Sequence, residues 1–453
     1  MIPVLMLSSC ASMVTRQDQY LESVPLARDG DYFRAAQIIE EAKEDAYRQK
    51  DRVLYYLDLG MLLHWAGEYE RSNEMLSLAE EAIEELFTES ISKGIASGLL
   101  NDNALDYSGE DYEDIYLNVF KALNYIALDN PESAQVEIRR VQIKLNVLED
   151  KYRKMVEEYN ASSDAEGQLE YRENRFYNDV LARYLSLLLY RAEGAYDDAR
   201  IDLESIREAW RTQQQIYHFP QPELPQTRSD RNGLALVNIL SFTGLSPVKL
   251  ADTIFLDSGV NMIYLTTTNQ SDDFLTRNVG FDFIFIPGVD PGFHFKIQFP
   301  RLSDRSSNVS RVIVKFDGER VAELPVLEEL ETVARETFLL KQPLIVGKTI
   351  IRATVKNIAK EIGKDALEDE FGLLGFVAGF AADAAVDATE NADLRISQFF
   401  TSDARAGEIA VEPGSYHVTV EYWNGKKLMA STDHGVREFL PNQLNLIESF
   451  VLQ

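Results

Sequence analysis

The sequence predicts an α+β fold of two domains, in which a solenoid of α-helices precedes a β-sandwich-like domain with inserted helices. Helical apolar periodicity and recurring glycine–tyrosine turns occupy the first half of the chain, whereas alternating apolar residues and hairpin-turn pairs occupy the second. Between them, the stretch 219–225 contains three prolines and cannot continue a helix. The 453 residues suffice for several domains, so we place the domain boundary between residues 220 and 221.

The N-terminal run predicts where the protein is located. An apolar run ends at Leu7-Ser8-Ser9-Cys10, which resembles a bacterial lipobox, and Cys10 is the only cysteine. Residues 1–13 are therefore predicted to be a signal remnant whose Cys10 is lipidated. The run is short and has no basic n-region, so we expect the true start upstream. By the same resemblance, Ala11 implies the outer membrane. The alternative is an ordinary thiol.

Residues 14–220 are predicted to form helix–turn–helix repeats. A Gly-x-Tyr pattern recurs at Gly30, Gly67 and Gly194, with a weaker copy at Asp129-Asn130. The pattern resembles the tetratricopeptide repeat, whose units of about 34 residues stack because none can bury its apolar face alone. The alternative is a generic antiparallel bundle with the same turns.

Stacked repeats would align one apolar row along their first helices. This row is the predicted partner-binding site or, if it is covered, part of the core. Its members are Leu57, Met61, Val119, Leu123, Tyr184 and Leu188. The insertion at about residues 88–108, the following domain or a partner could cover it.

Residues 221–453 are predicted to be β-rich. Alternation in residues 281–286 and 309–316 indicates strands, and the second of these runs reaches a hairpin signal at Asp317-Gly318. The alternation from Tyr416 to Tyr422 reaches a similar signal at Asn424-Gly425. A helical insertion is expected at about residues 326–391. Its apolar segment 371–382 is too short to span a bilayer, so we expect a buried helix rather than a membrane-inserting or oligomerising one.

The whole chain resembles a family of uncharacterised bacterial exported lipoproteins with tetratricopeptide-like helices and a β-rich C-terminal domain. The resemblance is carried by residues 107–113, 120–125, 244–249, 391–393 and 413–416. It implies a role in the envelope, in peptidoglycan synthesis or outer-membrane assembly, and it supplies no catalytic motif.

Composition and motifs give little support for chemistry. The chain has 45 Lys+Arg against 74 Asp+Glu, a formal net charge of −29, so nucleic-acid binding is not expected. Its five histidines are scattered, and no nucleophile elbow, P-loop or dinucleotide fingerprint is present. An acidic cluster at Glu110, Asp111, Glu113 and Asp114 is expected to be a solvated loop or helix N-terminus. Calcium binding and acid/base catalysis are its alternatives.

These observations predict a non-enzymatic scaffold or adaptor, anchored by lipid to the periplasmic face of the outer membrane, that binds envelope proteins. Neither a metal nor a cofactor is expected. The lipid is its only predicted contact with the membrane. The alternative function is an envelope hydrolase acting on glycan or peptide.

Substitution of Cys10 tests the anchor. Cys10→Ser should leave the fold intact and move the protein from the membrane fraction to the soluble fraction, because the acyl chains provide the attachment. Fractionation measures how much protein is in the membrane, and intact-mass spectrometry detects the attached lipid. A wild-type protein that carries no lipid and is already soluble would refute the prediction.

Overall fold

The computed structural model describes residues 17–93, 105–161, 172–228, 233–260, 262–269, 279–285, 294–305, 307–342, 345, 389–390 and 392–453. Within these residues the protein is α+β, as predicted. The predicted lipidation site Cys10 and the apolar segment 371–382 lie outside the described residues.

The regular elements of the described chain up to residue 212 are helices. They are α1 Tyr20–Arg28, α2 Tyr32–Glu41, α3 Lys43–Ala46, a short 3-10 helix Gln49–Asp51, α4 Arg52–Trp65, α5 Tyr69–Lys93, α6 Asp111–Ala127, α7 Pro131–Ala161, α8 Val180–Glu193 and α9 Tyr196–Thr212. A later helix, α10, covers residues 330–342. The pairs α4/α5, α6/α7 and α8/α9 are helical hairpins, and each hairpin packs on the next.

The predicted turns join these helices. Gly30, Gly67 and Gly194 have φ between +77° and +86°, and Asp129 has φ +56°. This left-handed conformation ends one helix and allows the chain to reverse into the next, and glycine adopts it without strain. The turn prediction is thus confirmed at all four positions, including the weak copy.

Close contact between α4 and α5 explains the glycine at position 60. A Cβ atom at Gly60 of α4 would lie 2.7 Å from the Leu76 side chain of α5. The Ser72 hydroxyl also donates to the Gly60 carbonyl at 2.7 Å. Only glycine at position 60 lets α4 and α5 approach this closely.

In the described residues after 233, the strands form three sheets. The strands are β1 Ala235–Thr243, β2 Leu245–Gly259, β3 Met262–Asn269, β4 Val279–Phe285, β5 His294–Arg305, β6 Arg311–Phe316, β7 Glu319–Leu324, β8 Val326–Glu329, β9 Thr389–Glu390, β10 Asp403–Val411, β11 Gly414–Asn424, β12 Lys427–Phe439 and β13 Asn445–Val451. The central sheet has the order β13-β1-β10-β8, the outer sheet β12-β11-β6-β7 and the meander sheet β4-β3-β2-β5-β9. Pairing is antiparallel except for β1 with β13 and β5 with β9.

The central sheet lies between the helices and the outer sheet. In β1, Val237 and Ile239 pack with the outer sheet, whereas Leu240 and Phe242 belong to the same hydrophobic cluster as the helices. All nine residues of β1 are buried. Helices and central sheet therefore share one hydrophobic core, and residues 219–225 mark a change from helix to strand inside a continuous body.

The sequence-predicted strands are present at residues 279–285 and 311–316 and in β11. Asp317 and Gly318 both have positive φ and connect β6 to β7, which confirms the first hairpin. The second hairpin is confirmed with a shift of one residue, because Asn424 pairs with Lys427 and Gly425 enters the turn. The predicted helical insertion instead starts with strand β8 and continues as α10.

The shared core makes Leu123 a sensitive position. Leu123→Glu should destabilise the whole protein by more than about 4 kcal/mol, because it buries an unpaired charge. The matched control is Leu21→Glu, where the side chain is 76% exposed and the change should stay within about 0.5 kcal/mol. Chemical denaturation measures both. A folded, stable Leu123→Glu protein would contradict this packing.

Candidate functional site

A cavity of about 630 Å³ lies between α5, α6, α7 and the start of the meander sheet. Apolar side chains from the three helices form much of its wall: Ile83, Leu86, Phe87, Ile115, Ile143, Val147, Leu148 and Met155. Charged and aromatic groups complete it: Glu84, Asp106, Tyr107, Asp111, Asp114, Lys144, Lys151, Tyr152, Lys249, Lys341, Asp393 and Arg395. Its size is in the range of small-molecule sites. We call it the recess.

The predicted acidic cluster begins α6 at the edge of the recess. Glu110 and Glu113 form a capping box, in which the Glu113 carboxylate accepts the Glu110 N–H at 2.7 Å. The helix N-terminus was therefore predicted correctly, but the solvated environment was not. Glu110, Asp111 and Glu113 are all buried. Lysines from other parts of the chain pair with Glu110 and Asp111, and Tyr107 and the connecting backbone at Ser397 donate to Glu113.

Two lysines converge on Glu110. Lys249 of β2 lies 2.6 Å from Oε1 of Glu110, and Lys341 of α10 lies 3.2 Å from the same oxygen. Lys249 also donates to the Arg395 carbonyl at 2.9 Å. The nearby carboxylates outweigh the effect of burial and raise the pKa of Lys341, which stays charged.

The other charges of the wall are paired as well. Asp111 accepts from Lys151 at 2.6 Å and from the Tyr152 hydroxyl at 2.5 Å, and Asp114 pairs with Lys144 at 2.7 Å. Asp106 pairs with Arg52 at 2.9 Å. Every lysine, arginine and aspartate of the described wall thus lies in an ion pair.

The carboxyl group of Glu113 has a raised pKa. Burial, and then the charge of Glu110, raise the pKa of Glu113 to about 7. Its oxygens accept from the Tyr107 hydroxyl at 2.6 Å and from the Ser397 N–H at 2.6 Å. Glu113 is fully buried and is not part of the recess wall, so a ligand there would not reach this carboxyl group.

Ser397 belongs to an irregular, largely buried segment, residues 392–402, which we call the connector. Buried backbone needs hydrogen-bond partners, and here helical carboxylates provide them. Asp58 of α4 accepts from the Ser397 hydroxyl at 2.8 Å and from the Gln398 N–H at 3.0 Å. Burial raises the pKa of Asp58 to about 6, against the effect of these bonds.

Arg395 fixes the start of the connector. It lies 3.0 Å from Asp51 and 2.8 Å from Asp393. Burial alone would raise the pKa of Asp393, but the hydrogen bonds and charge of Arg395 lower it to about 2. Asp51, Asp58 and Glu113 therefore attach the helices to the connector at three points along it.

The predicted partner-binding row is buried against the central sheet and the connector. The exposure of its members is at most 2%: Leu57, Met61, Val119, Leu123, Tyr184 and Leu188. The Tyr184 hydroxyl donates to Asn238 of β1 at 2.9 Å. The insertion at about residues 88–108, the following domain and a partner were the predicted alternatives for covering this row. In the structure, the β-rich part of the same chain covers it. In this structure no partner can contact these six residues.

Sequence reasoning missed Lys249, Lys341 and Arg395, which no local pattern distinguishes from surface cations. A signal was available for Asp58 and His64, since both interrupt the apolar helix α4. His64 is buried and bonds Asn124 at 2.7 Å and Glu448 of β13 at 2.9 Å. It joins the helices to the central sheet.

Within the described residues, no group of three or more His, Cys, Asp or Glu could hold a metal ion. No helix of that part of the chain is both long and apolar enough to cross a membrane. Comparison with protein-family models, curated proteins and solved structures finds no match.

The shifted pKa of Glu113 predicts a pH dependence of stability. The pKa of Glu113 is about 7 in the folded protein and about 4.5 in the unfolded chain. Between these two values the folded state binds the proton more tightly, so the free energy of unfolding decreases as the pH rises from 4.5 through 7. Glu113→Gln should remove up to about 1.4 kcal/mol per pH unit from that slope. Glu81→Gln, at an exposed position of α5, is the control. Urea denaturation at several pH values measures the free energy of unfolding. If it depends on pH equally in the wild type and in Glu113→Gln, the prediction is wrong.

Proposed function

We propose that the protein is a non-catalytic scaffold or adaptor of the bacterial envelope, anchored by lipid at Cys10, that binds other proteins through its helical half. The observation that carries the proposal is the pairing of every basic and aspartate side chain in the recess wall. Groups held in such ion pairs stabilise a surface and are not poised to transfer protons.

The same observation weighs against the hydrolase. A general acid needs a raised pKa and access to substrate. Glu113 has the raised pKa without the access, and Asp111 has the access but is paired with Lys151. The recess therefore supports binding better than catalysis.

Stacked helical hairpins with left-handed turns favour a tetratricopeptide-like array, and such arrays bind partners along an extended surface. Because the predicted row is covered, we assign the partner surface to α7. This helix has an apolar stripe in which Val136, Ile143 and Val147 are 49%, 61% and 47% exposed. Ile143 follows Val136 by seven residues and Val147 follows Ile143 by four, so the three side chains share one helix face.

The partner surface can be tested in detergent-solubilised envelopes. Cross-linked proteins that co-purify with the wild type should be lost with the double variant Ile143→Glu/Val147→Glu, because two charges interrupt the stripe. Leu21→Glu, an exposed leucine on α1, should retain the same set. Circular dichroism confirms that all three proteins are folded.

Two results would overturn the proposal. One is an unchanged set of partners with the double variant. The other is turnover of a peptidoglycan fragment or peptide by the purified protein that Asp111→Asn abolishes.

A further inference from the structure

The buried contact between α4 and β13 is centred on His64. This side chain is 0% exposed and lies between Asn124 of α6 and Glu448 of β13. Its Nδ1 is 2.7 Å from Oδ1 of Asn124, and its Nε2 is 2.9 Å from Oε1 of Glu448. The group that each ring nitrogen faces decides whether that nitrogen carries a hydrogen.

The Asn124 side chain requires a hydrogen on Nδ1. The Ser72 hydroxyl donates its one hydrogen to the Gly60 carbonyl at 2.7 Å. Its oxygen therefore accepts from the amide nitrogen of Asn124 at 2.9 Å. Because this bond orients the amide group, the amide oxygen faces His64, where it can only accept, and Nδ1 donates to it.

The second ring nitrogen also faces an acceptor. An ionised carboxylate has no hydrogen to donate, so the 2.9 Å contact with Glu448 requires a hydrogen on Nε2. With hydrogen on both nitrogens, His64 is an imidazolium ion and forms an ion pair with Glu448. Removal of one proton would leave an unprotonated nitrogen facing a carboxylate oxygen, and these two acceptors repel each other.

Other titratable groups near the pair come from α5 and β12. Burial, together with the charge of Glu448, raises the pKa of Tyr69 of α5 to about 12, so its hydroxyl is neutral. Burial, and then the charge of Arg437, lower the pKa of His434 of β12, so this second histidine is neutral as well. Arg437 and Asp433, which have opposite charges, also act on His434 from β12. Neither Tyr69 nor His434 thus adds a charge to the pair.

We propose that the proton between His64 and Glu448 acts as a latch that holds β13 on the helices and opens when the pH rises. The released proton goes to water, which reaches the pair from the side of Glu448, whose side chain is 12% exposed. Release breaks the ion pair, so the folded state binds this proton more tightly than the unfolded chain does. The free energy of unfolding therefore decreases as the pH rises through the release.

The latch acts on an edge of the central sheet. In the described part of that sheet, β13 is the terminal strand and pairs only with β1. Its contact with α4 therefore contributes to keeping the strand in place, and loss of the proton should favour local opening of β13 before the rest of the sheet.

Nitrogen NMR of the full chain with isotope-labelled histidine measures the protonation of each ring. Contacts of its ring with Trp65 and Phe120 assign the signals of His64. At about pH 7, where a histidine in water is mostly neutral, both ring nitrogens of His64 should be protonated. Glu448→Gln replaces the carboxylate by an amide that can donate, so His64 should become neutral with its hydrogen on Nδ1.

His434 is the matched control. It lies near the same carboxylate, but its Nε2 is 3.0 Å from the Ser449 hydroxyl, which can donate as well as accept. This contact requires no additional proton. His434 should therefore be neutral at about pH 7 both in the wild type and in Glu448→Gln.

Amide hydrogen exchange measures the opening of β13 itself. After correction for the intrinsic exchange rate, opening should increase at least about threefold between pH values of about 7 and about 9 in the wild type. In Glu448→Gln the same change should stay below about twofold, because no ion pair remains to be lost.

A neutral His64 in the folded wild type at about pH 7 would overturn the inference. So would an imidazolium that persists in Glu448→Gln, or opening of β13 that depends on pH equally in both proteins. The wild-type spectrum needs no variant, so it decides the protonation of His64 even if Glu448→Gln does not fold.

Discussion

The hydrogen bonds from the connector to buried helical carboxylates are the interaction on which the rest of the structure depends. An irregular segment inside a core would leave its backbone groups without partners, at a cost of about 1–3 kcal/mol for each unsatisfied group. Asp58 and Glu113 accept these bonds, and Asp51 neutralises Arg395. The connector can therefore lie between the helices and the sheets, and β10 follows directly from it.

This arrangement decides where function can reside. The connector and the central sheet occupy the side of the helical array that the sequence offers as a partner surface, and the apolar row becomes core. The partner surface that we propose therefore lies on α7, where Val136, Ile143 and Val147 are exposed. Ion pairs connect the charged side chains of the recess to one another and to neighbouring elements.

Local features of the fold were predictable from the sequence, and features made by distant contacts were not. The left-handed turns and the Asp317-Gly318 hairpin depend on a few adjacent residues, so their pattern is visible. Strand β1 shows no alternation because both of its faces are buried, and it was missed. The acidic cluster was visible, but its burial was not, because Lys249 and Lys341 lie 139 and 231 residues away from Glu110.

The parallel pairing of β13 with β1 bears on how the chain can reach its folded state. Phe450 packs 4.7 Å from Trp65 between ring centroids, and His64 bonds Glu448 across 384 positions of sequence. Synthesis proceeds from the N-terminus, so the helices leave the ribosome long before β13 does. Until then the apolar face of α4 and α6 has no cover, and a partly emerged chain is exposed to aggregation. Contacts of such long range also slow the final closure. The helical half of this chain is therefore complete only when its final strand, residues 445–451, has joined the central sheet.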